Sequence, residues 1–142
     1  MEFGLARATL DELIKNSDYI SPHVPLNDKT KNMIDKEQFS EMKIGVRILN
    51  VARGGVINEA ALLDALKSGK VAAAALDVYT DEPPTNQELI KHNSVIATPH
   101  LGASTHEAQE NVALDVAEQI VQGLKHGTIM FCVNGVEKLK SN

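Results

Sequence analysis

The sequence has one cysteine, no tryptophan and only 4% aromatic residues. The single cysteine, Cys132, cannot form a disulfide within the chain, which excludes a disulfide-stapled scaffold and favours a reducing, cytoplasmic compartment. Acidic residues outnumber basic ones, and the net charge is −5. Because nucleic-acid binding depends on cationic surface and stacking rings, we expect no nucleic-acid partner.

Long hydrophobic runs and a secretion signal are also lacking. The longest uninterrupted apolar run, Val71–Leu76, is far shorter than the roughly 20 residues that span a bilayer. Glu2 stands where a signal peptide carries basic charge. We therefore expect no membrane association. The composition, 43% hydrophobic and 23% charged over 142 residues, is typical of one folded domain.

Segments typical of strands and helices alternate along the chain. Capping signals predict helices that begin after Thr9, Asp35, Asn58, Thr85 and Ser104. Strands are predicted at residues 18–24, 46–51, 71–78 and 94–98. Pro22 weakens the first of these, because proline cannot donate to a ladder. The third is almost wholly apolar, which is typical of a strand covered on both faces. This order predicts an α/β fold, a doubly wound parallel sheet with flanking helices.

The last predicted helix is the longest and carries an apolar stripe at helical spacing. Its members are Ala113, Val116, Ala117, Ile120, Val121 and Leu124. We interpret this stripe as core or subunit packing rather than as a ligand site.

Ligands of such a sheet bind beyond the carboxyl ends of its strands. The residues that follow the predicted strands include His23, Arg53, Glu82 and His100. Taken singly, Arg53 fits a surface arginine and Glu82 a solvated loop acid. Together they supply a cation that can bind a carboxylate through two hydrogen bonds, and an imidazole beside an acid for proton transfer. The histidines and the cysteine show no zinc-type spacing, so no metal is expected.

Three ordered motifs carry a family resemblance: residues 50–59 (NVARGGVINE), 75–83 (ALDVYTDEP) and 98–105 (TPHLGAST). They resemble the D-isomer-specific 2-hydroxyacid dehydrogenases, over residues 9–136. The resemblance implies a Rossmann-like sheet, NAD as the cofactor, and hydride transfer between a 2-hydroxy acid and its 2-oxo acid. The motifs are most similar to the subgroup that oxidises 3-phosphoglycerate in serine biosynthesis. A homo-oligomer is expected.

The resemblance also assigns roles to individual residues. Arg53 would bind the substrate carboxylate and polarise the carbonyl, and His100 would be the general acid/base. Glu82 would hold the imidazole and favour its charged form. Asp77 would bind the cofactor, at the carboxamide of the nicotinamide. The nicotinamide side of the cofactor groove would be lined by His23, Val24, Pro25, Val51, Ala52, Arg53, His100, Leu101, Gly102 and Ala103.

Two departures from the family pattern set the limits of this assignment. The first is Pro22, which stands where the family usually has an apolar residue. The second is that the sequence lacks both the G-x-G-x-x-G motif and the acidic residue that follows this motif in the family. We therefore expect residues 1–126 to be the second part of a cofactor domain and residues 127–142 a tail toward a substrate domain. One hypothesis is an oxidoreductase fragment, inactive alone; the other is a non-catalytic NAD-binding or assembly module. The intact Arg53, Glu82 and His100 set favours the first.

Overall fold

The computed structural model describes residues 6–127, 129 and 131. The chain divides into two compact units, residues 1–101 and residues 102–142. The boundary predicted between residues 126 and 127 falls at the end of a helix of the second unit. The tail assigned beyond it lies almost wholly outside the described residues, as does Cys132, so that division stays a prediction.

Helices and strands alternate through the described part of the first unit. They are α1 (Leu10–Asn16), β1 (Tyr19–Ile20), α2 (Lys36–Glu41), β2 (Val46–Asn50), α3 (Glu59–Lys67), β3 (Val71–Leu76), α4 (Gln87–Ile90) and β4 (Val95–Ala97). The strands are parallel and lie in the order β1-β2-β3-β4. This confirms the predicted α/β class, with a parallel sheet and flanking helices.

Local capping chemistry explains where the helices begin. The hydroxyl of Thr9 accepts from the backbone N–H of Glu12, and the Glu12 carboxylate accepts from that of Thr9, so the first capping box is confirmed. Asp35 caps α2, and Asn58 caps α3, as predicted. Gly69, just after α3, has the left-handed φ of +75° that favours glycine there.

Two caps predicted from the sequence are wrong by one residue. The side chain of Asn86, not Thr85, caps α4, because the Thr85 hydroxyl donates to Asp81 instead. The helix of the second unit is capped by Thr105 rather than Ser104. Several adjacent residues can cap equally well, and the path of the loop decides between them.

The hydrophobic core lies against one face of the sheet. Its residues come from all four helices of the first unit and from β2 and β3, and include Ile14, Phe39, Val46, Ile48, Leu62, Leu66, Val71, Leu76 and Leu89. The buried residues of β2 alternate along the strand, which leaves Arg47 on the opposite face.

That opposite face is open to solvent. Tyr19 is 62% exposed and Ile96 70% exposed, and the guanidinium of Arg47 stacks on the Tyr19 ring 5.3 Å from its centroid. The prediction that residues 71–78 are covered on both faces is therefore wrong for the described chain, since Ala72 is exposed. The first strand is also shorter than predicted, because the ladder stops before Pro22.

The second unit contains α5 (His106–His126), which ends at Gly127 with a left-handed φ of +66°. Its apolar stripe is exposed in the described chain, with Leu124 at 77% and Ile120 at 56%. The stripe is therefore not part of the core, and subunit packing stays a prediction. None of the helices within the described ranges is long and apolar enough to cross a membrane.

Candidate active site

Three loops leave the same edge of the sheet, at the carboxyl ends of β2, β3 and β4. They carry Arg53, Glu82 and His100, in that order. Parallel neighbouring strands place their carboxyl ends side by side, so the three loops start next to one another. The edge is the one that the strand order predicts for ligand binding.

His100 and Glu82 form a hydrogen-bonded pair across two of these loops. Nδ1 of His100 lies 2.8 Å from Oε2 and 3.0 Å from Oε1 of Glu82. Both side chains are partly exposed, at 45% for His100 and 40% for Glu82. Because Nδ1–H donates to the carboxylate, Nε2 is the ring nitrogen that can exchange a proton with a ligand.

The surroundings of Glu82 keep its side chain ionised. The hydrogen bond from His100 lowers the pKa of Glu82 below its usual value, and the backbone N–H of Tyr79, 3.3 Å from Oε1, adds to this effect. Slight desolvation and the nearby charge of Asp77 act in the opposite direction without reversing it. At neutral pH Glu82 is therefore a carboxylate, and it accepts the Nδ1–H of His100.

The backbone of His100 has an uncommon conformation. Its φ is +57°, in the left-handed region that residues other than glycine rarely adopt. Backbone strain of this kind persists only where the surrounding structure fixes it, and it concentrates at functional sites. The backbone and the Glu82 contact together define the direction of the imidazole ring.

Asn50, the last residue of β2, organises the loop that carries Arg53. Its side chain is almost wholly buried, at 3% exposed for the residue. Oδ1 accepts from the N–H of Ala52 at 3.2 Å, and Nδ2 donates to the carbonyl of Arg53 at 3.0 Å. No role was predicted for Asn50 from the sequence. The available signal was an amide side chain at the end of a largely apolar strand.

Arg53 itself lies on the surface. Its Nη1 donates to the carbonyl of Ala52 at 2.7 Å, while the residue remains exposed. Because Asn50 fixes the backbone of this loop, the exposed guanidinium can present two coplanar N–H donors to a carboxylate.

The loop after β2 and the loop after β3 meet backbone to backbone at Gly54. A Cβ atom added to Gly54 would lie 1.7 Å from the carbonyl oxygen of Tyr79. Next to this contact, Oε1 of Glu59 accepts from the N–H of Thr80 at 2.6 Å. Neither Gly54 nor Glu59 was assigned a role from sequence, because the contact joins segments that are distant along the chain.

Asp77 connects the ends of three strands. Its Oδ1 accepts from the Thr98 hydroxyl and from the N–H of Leu101 at 2.8 Å, and its own N–H donates to the carbonyl of Asn50 at 2.9 Å. The residue is buried, at 6% exposed. These contacts show a role in holding the sheet edge, and the expected contact with a nicotinamide carboxamide stays a prediction.

Tyr79 is a buried residue that links the carboxyl ends of β3 and β4. Its hydroxyl lies 3.0 Å from the carbonyl of Leu76 and 2.9 Å from that of Thr98, as donor. Burial, followed by the nearby charge of Asp77, raises the pKa of Tyr79. The phenol therefore remains neutral, and it acts as a donor that packs β3 against β4.

The remaining predicted cofactor residues follow β1, β2 and β4 in the first unit, or open the second unit. Nε2 of His23 lies 2.9 Å from the Ser21 hydroxyl, and the carbonyl of Pro25 accepts from Thr30. A cavity of about 370 Å³ beside β1 is lined in part by His23 and Val24. The exposed predicted residues of the first unit's sheet edge include Val51 and Leu101, both 51% exposed. Gly102 and Ala103 belong to the second unit.

The described residues contain no group of three or more histidine, cysteine or carboxylate side chains placed to hold a metal ion. The side chains that the loops of the sheet edge carry include a guanidinium, an imidazole and a carboxylate.

Comparison with known proteins places the chain among dehydrogenases. The family model described as "D-isomer specific 2-hydroxyacid dehydrogenase, NAD binding domain" matches residues 1–102. D-3-phosphoglycerate dehydrogenase of Bacillus subtilis is 49% identical over 133 residues, covering 94% of this chain and 25% of the relative. The protein of the same name from Archaeoglobus fulgidus is 48% identical over 134 residues, with 94% and 25% covered. The chain thus spans about a quarter of the length of these relatives.

Solved structures show the same similarity. The holo form of D-mandelate dehydrogenase from Rhodotorula graminis matches with a TM-score of 0.85 and 37% identity, covering 93% of this chain and 39% of that one. The NAD-complexed D-isomer specific 2-hydroxyacid dehydrogenase from Lactobacillus delbrueckii matches with a TM-score of 0.81 and 29% identity, covering 89% and 43%.

Proposed function

The chain belongs to the D-isomer-specific 2-hydroxyacid dehydrogenases, as part of their NAD-binding domain, and we propose that it supplies the acid/base and carboxylate-binding residues of such an enzyme. The reaction is the transfer of a hydride between a D-2-hydroxy acid and the nicotinamide cofactor. We propose 3-phosphoglycerate as the substrate, and hence a place in serine biosynthesis, because the curated relatives named above are D-3-phosphoglycerate dehydrogenases.

The hydrogen bond between His100 and Glu82 is the observation that carries this proposal. In the oxidation direction, neutral Nε2 of His100 would accept the hydroxyl proton of the substrate, while the carbon that bears this hydroxyl group loses its hydride to the nicotinamide. In the reduction direction, the imidazolium donates that proton to the carbonyl oxygen. The Glu82 carboxylate holds Nδ1–H in both directions and stabilises the charged ring.

Arg53 is proposed to bind the substrate carboxylate. Its guanidinium is exposed, and Asn50 fixes the backbone beneath it. A planar pair of N–H donors matches the two oxygens of a carboxylate and sets the orientation of the neighbouring carbon.

The residues at the sheet edge also fit a nicotinamide cofactor. The cavity beside His23 and Val24 is apolar along most of its lining, and Val51 and Leu101 add exposed apolar surface at the same edge. We propose that these positions, with Pro25, Ala52 and Asp77, contact NAD. The cofactor contacts expected for Gly102 and Ala103, which open the second unit, stay a prediction. When bound, the nicotinamide supplies the hydride acceptor; the protein provides orientation and charge.

We further propose that the protein is a homo-oligomer of a reducing, cytoplasmic compartment. The exposed sheet face and the apolar stripe of α5 support self-association. The single cysteine supports the compartment.

A chimeric enzyme tests the proposed function. This chain replaces the matching segment of the Bacillus subtilis relative, and NAD-dependent oxidation of 3-phosphoglycerate is measured. We expect activity, and a loss on the order of 100-fold or more for His100→Gln. His92→Gln, a histidine after α4, is the matched control and should leave the rate unchanged. A chimera that binds NAD but oxidises no 2-hydroxy acid would instead support a non-catalytic binding module.

A further inference from the structure

Glu59 lies where the loop after β2 meets the loop after β3. It is the first residue of α3, but it is not the residue that caps this helix. Oδ1 of Asn58 accepts from the N–H groups of Ala60 and Ala61, both at 3.1 Å. The Glu59 side chain reaches away from its own helix, and its Oε1 accepts from the N–H of Thr80 at 2.6 Å.

The N–H of Thr80 and the carbonyl of Tyr79 belong to one peptide group, whose N–H is hydrogen-bonded and whose carbonyl oxygen packs against Gly54. Glu59 accepts from the N–H, while the carbonyl oxygen occupies the space above Gly54 that a Cβ atom would fill. Because a peptide group is planar, fixing both ends fixes its orientation.

The preceding peptide group of the same loop binds Glu82. The N–H of Tyr79, one residue earlier, donates to Oε1 of Glu82 at 3.3 Å, and Glu82 in turn accepts from Nδ1 of His100. The loop therefore connects Glu59 to the histidine through hydrogen bonds, although Glu59 has no contact with His100 in the described structure.

We propose that Glu59 is a positioning residue that fixes the Tyr79–Thr80 peptide and so holds Glu82 in place for its hydrogen bond with His100. Its importance for catalysis rests on the proposed function above. Its effect on Glu82 does not, and can be measured without any turnover.

Replacing Glu59 has two opposite effects on the pKa of Glu82, one through charge and one through the position of the loop. The titratable groups that act on the Glu82 carboxylate are His100 and Asp77. Glu59 brings a further carboxylate to the same loop, where it accepts from Thr80. Removing that negative charge alone would lower the pKa of Glu82. Loosening the peptide would weaken the Tyr79 N–H bond, one of the causes of the low pKa of Glu82, and would raise it.

The test is a carbon-13 NMR titration of the Glu82 side-chain carboxyl in the 142-residue chain. We expect Glu59→Ala to raise the pKa of Glu82 toward its usual value. Glu59→Gln keeps an acceptor for Thr80 and should leave the pKa unchanged or slightly lower. Glu37→Ala, an exposed acid in the first turn of α2, is the control and should have no effect.

An unchanged or lowered pKa of Glu82 in Glu59→Ala would overturn the proposal, and so would equal rises in the alanine and glutamine variants. Hydrogen exchange of the Thr80 amide gives a second test in the unmutated chain, which does not depend on any variant folding. Protection of that amide is expected, and exchange at the rate of an unstructured peptide would contradict the proposal. If the chimeric enzyme proves inactive, both measurements still stand, so failure of the proposed function is distinguishable from failure of this inference.

Discussion

The carbonyl oxygen of Tyr79 occupies the position that a Cβ atom of residue 54 would need, at 1.7 Å from that atom. The two loops that carry Arg53 and Glu82 therefore touch through their backbones, with no side chain between them. This contact joins the loop of Arg53, the proposed substrate-binding cation, to the loop that carries Glu82.

Replacing Gly54 by alanine should force the two loops apart. We expect Gly54→Ala to destabilise the chain by about 1–3 kcal/mol, in the range of overpacked sites, because the atoms it meets are backbone and cannot rotate away. Gly69→Ala is the control: a Cβ there meets open space, and only its left-handed φ of +75° carries a cost of about 1 kcal/mol. Urea unfolding measures both. Equal stability of Gly54→Ala and the unmodified chain would show that the loops can separate freely.

The buried amide of Asn50 gives a second prediction. Asn50→Asp keeps the acceptor for Ala52 but removes the donor to the Arg53 carbonyl and buries a carboxyl. Burial raises the pKa of an introduced carboxyl in the folded state, so the stability of the variant should be greatest at low pH and should fall as pH rises through that pKa. We expect a loss of about 1–3 kcal/mol at neutral pH.

Urea unfolding of Asn50→Asp at pH 5 and pH 8 checks this dependence. Asn93→Asp, at an exposed position after α4, serves as the control and should show no such pH-dependent loss. A stability difference from the unmodified chain that is the same at both pH values would mean that the Asn50 amide is not desolvated as described.

Arg53→Lys should reduce the catalytic efficiency of the chimeric enzyme, although the substitution keeps the positive charge. Lysine cannot make the paired planar contact with a carboxylate, so kcat/KM of the chimeric enzyme should fall on the order of 10-fold to 100-fold, about 1.4–2.8 kcal/mol. Arg47→Lys, on the exposed sheet face, is the matched control. Steady-state kinetics with several 2-oxo acids makes the comparison. Near-normal kinetics for Arg53→Lys would mean that Arg53 has a structural role only.

The exposed face of the sheet predicts self-association. Tyr19 and Ile96 present apolar surface there, and β1 and β4 are edge strands within the described sheet. We expect the 142-residue chain to be a dimer or larger in sedimentation experiments, and Ile96→Glu to weaken the association. Ile44→Glu, which replaces an isoleucine 86% exposed before β2, should not weaken it. A clean monomer at high protein concentration would refute the prediction.

The sequence predicted those features that depend on local chemistry. Thr9, Asp35 and Asn58 cap their helices because a side-chain oxygen bonds to N–H groups two or three residues away, and such spacing is visible in the sequence. The candidate site followed from a topological rule, since polar residues after parallel strands meet at one edge. His100 and Glu82 lie together for this reason, 18 positions apart in the chain.

The features that sequence analysis missed depend on tertiary contacts. Gly54 and Glu59 matter through the Tyr79–Thr80 peptide, whose approach no local pattern encodes. The alanines of β3 made that strand resemble one buried on both faces, but alanine is small enough to occupy an exposed face without a strong hydrophobic signal. Asn50 resembled an ordinary polar residue at the end of a strand until its two loop contacts were seen.

The pairing of His100 with Glu82 is the central claim, and the pH dependence of kcat/KM in the chimeric enzyme tests it most directly. The hydrogen bond from His100 keeps the pKa of Glu82 low, so Glu82 is ionised throughout the range to be scanned. Glu82→Gln removes the charge and keeps the shape. Asp81→Asn, a neighbouring exposed acid, is the control and should shift neither profile.

In the proposed mechanism, reduction of the 2-oxo acid uses protonated His100 and oxidation of the hydroxy acid uses the neutral ring. Glu82→Gln removes the negative charge that faces Nδ1–H, so the alkaline limb of the reduction profile should move to lower pH. The acidic limb of the oxidation profile should move in the same direction. Lower rates in Glu82→Gln with both limbs unmoved would contradict the claim and leave Glu82 a loop carboxylate without a role in proton transfer.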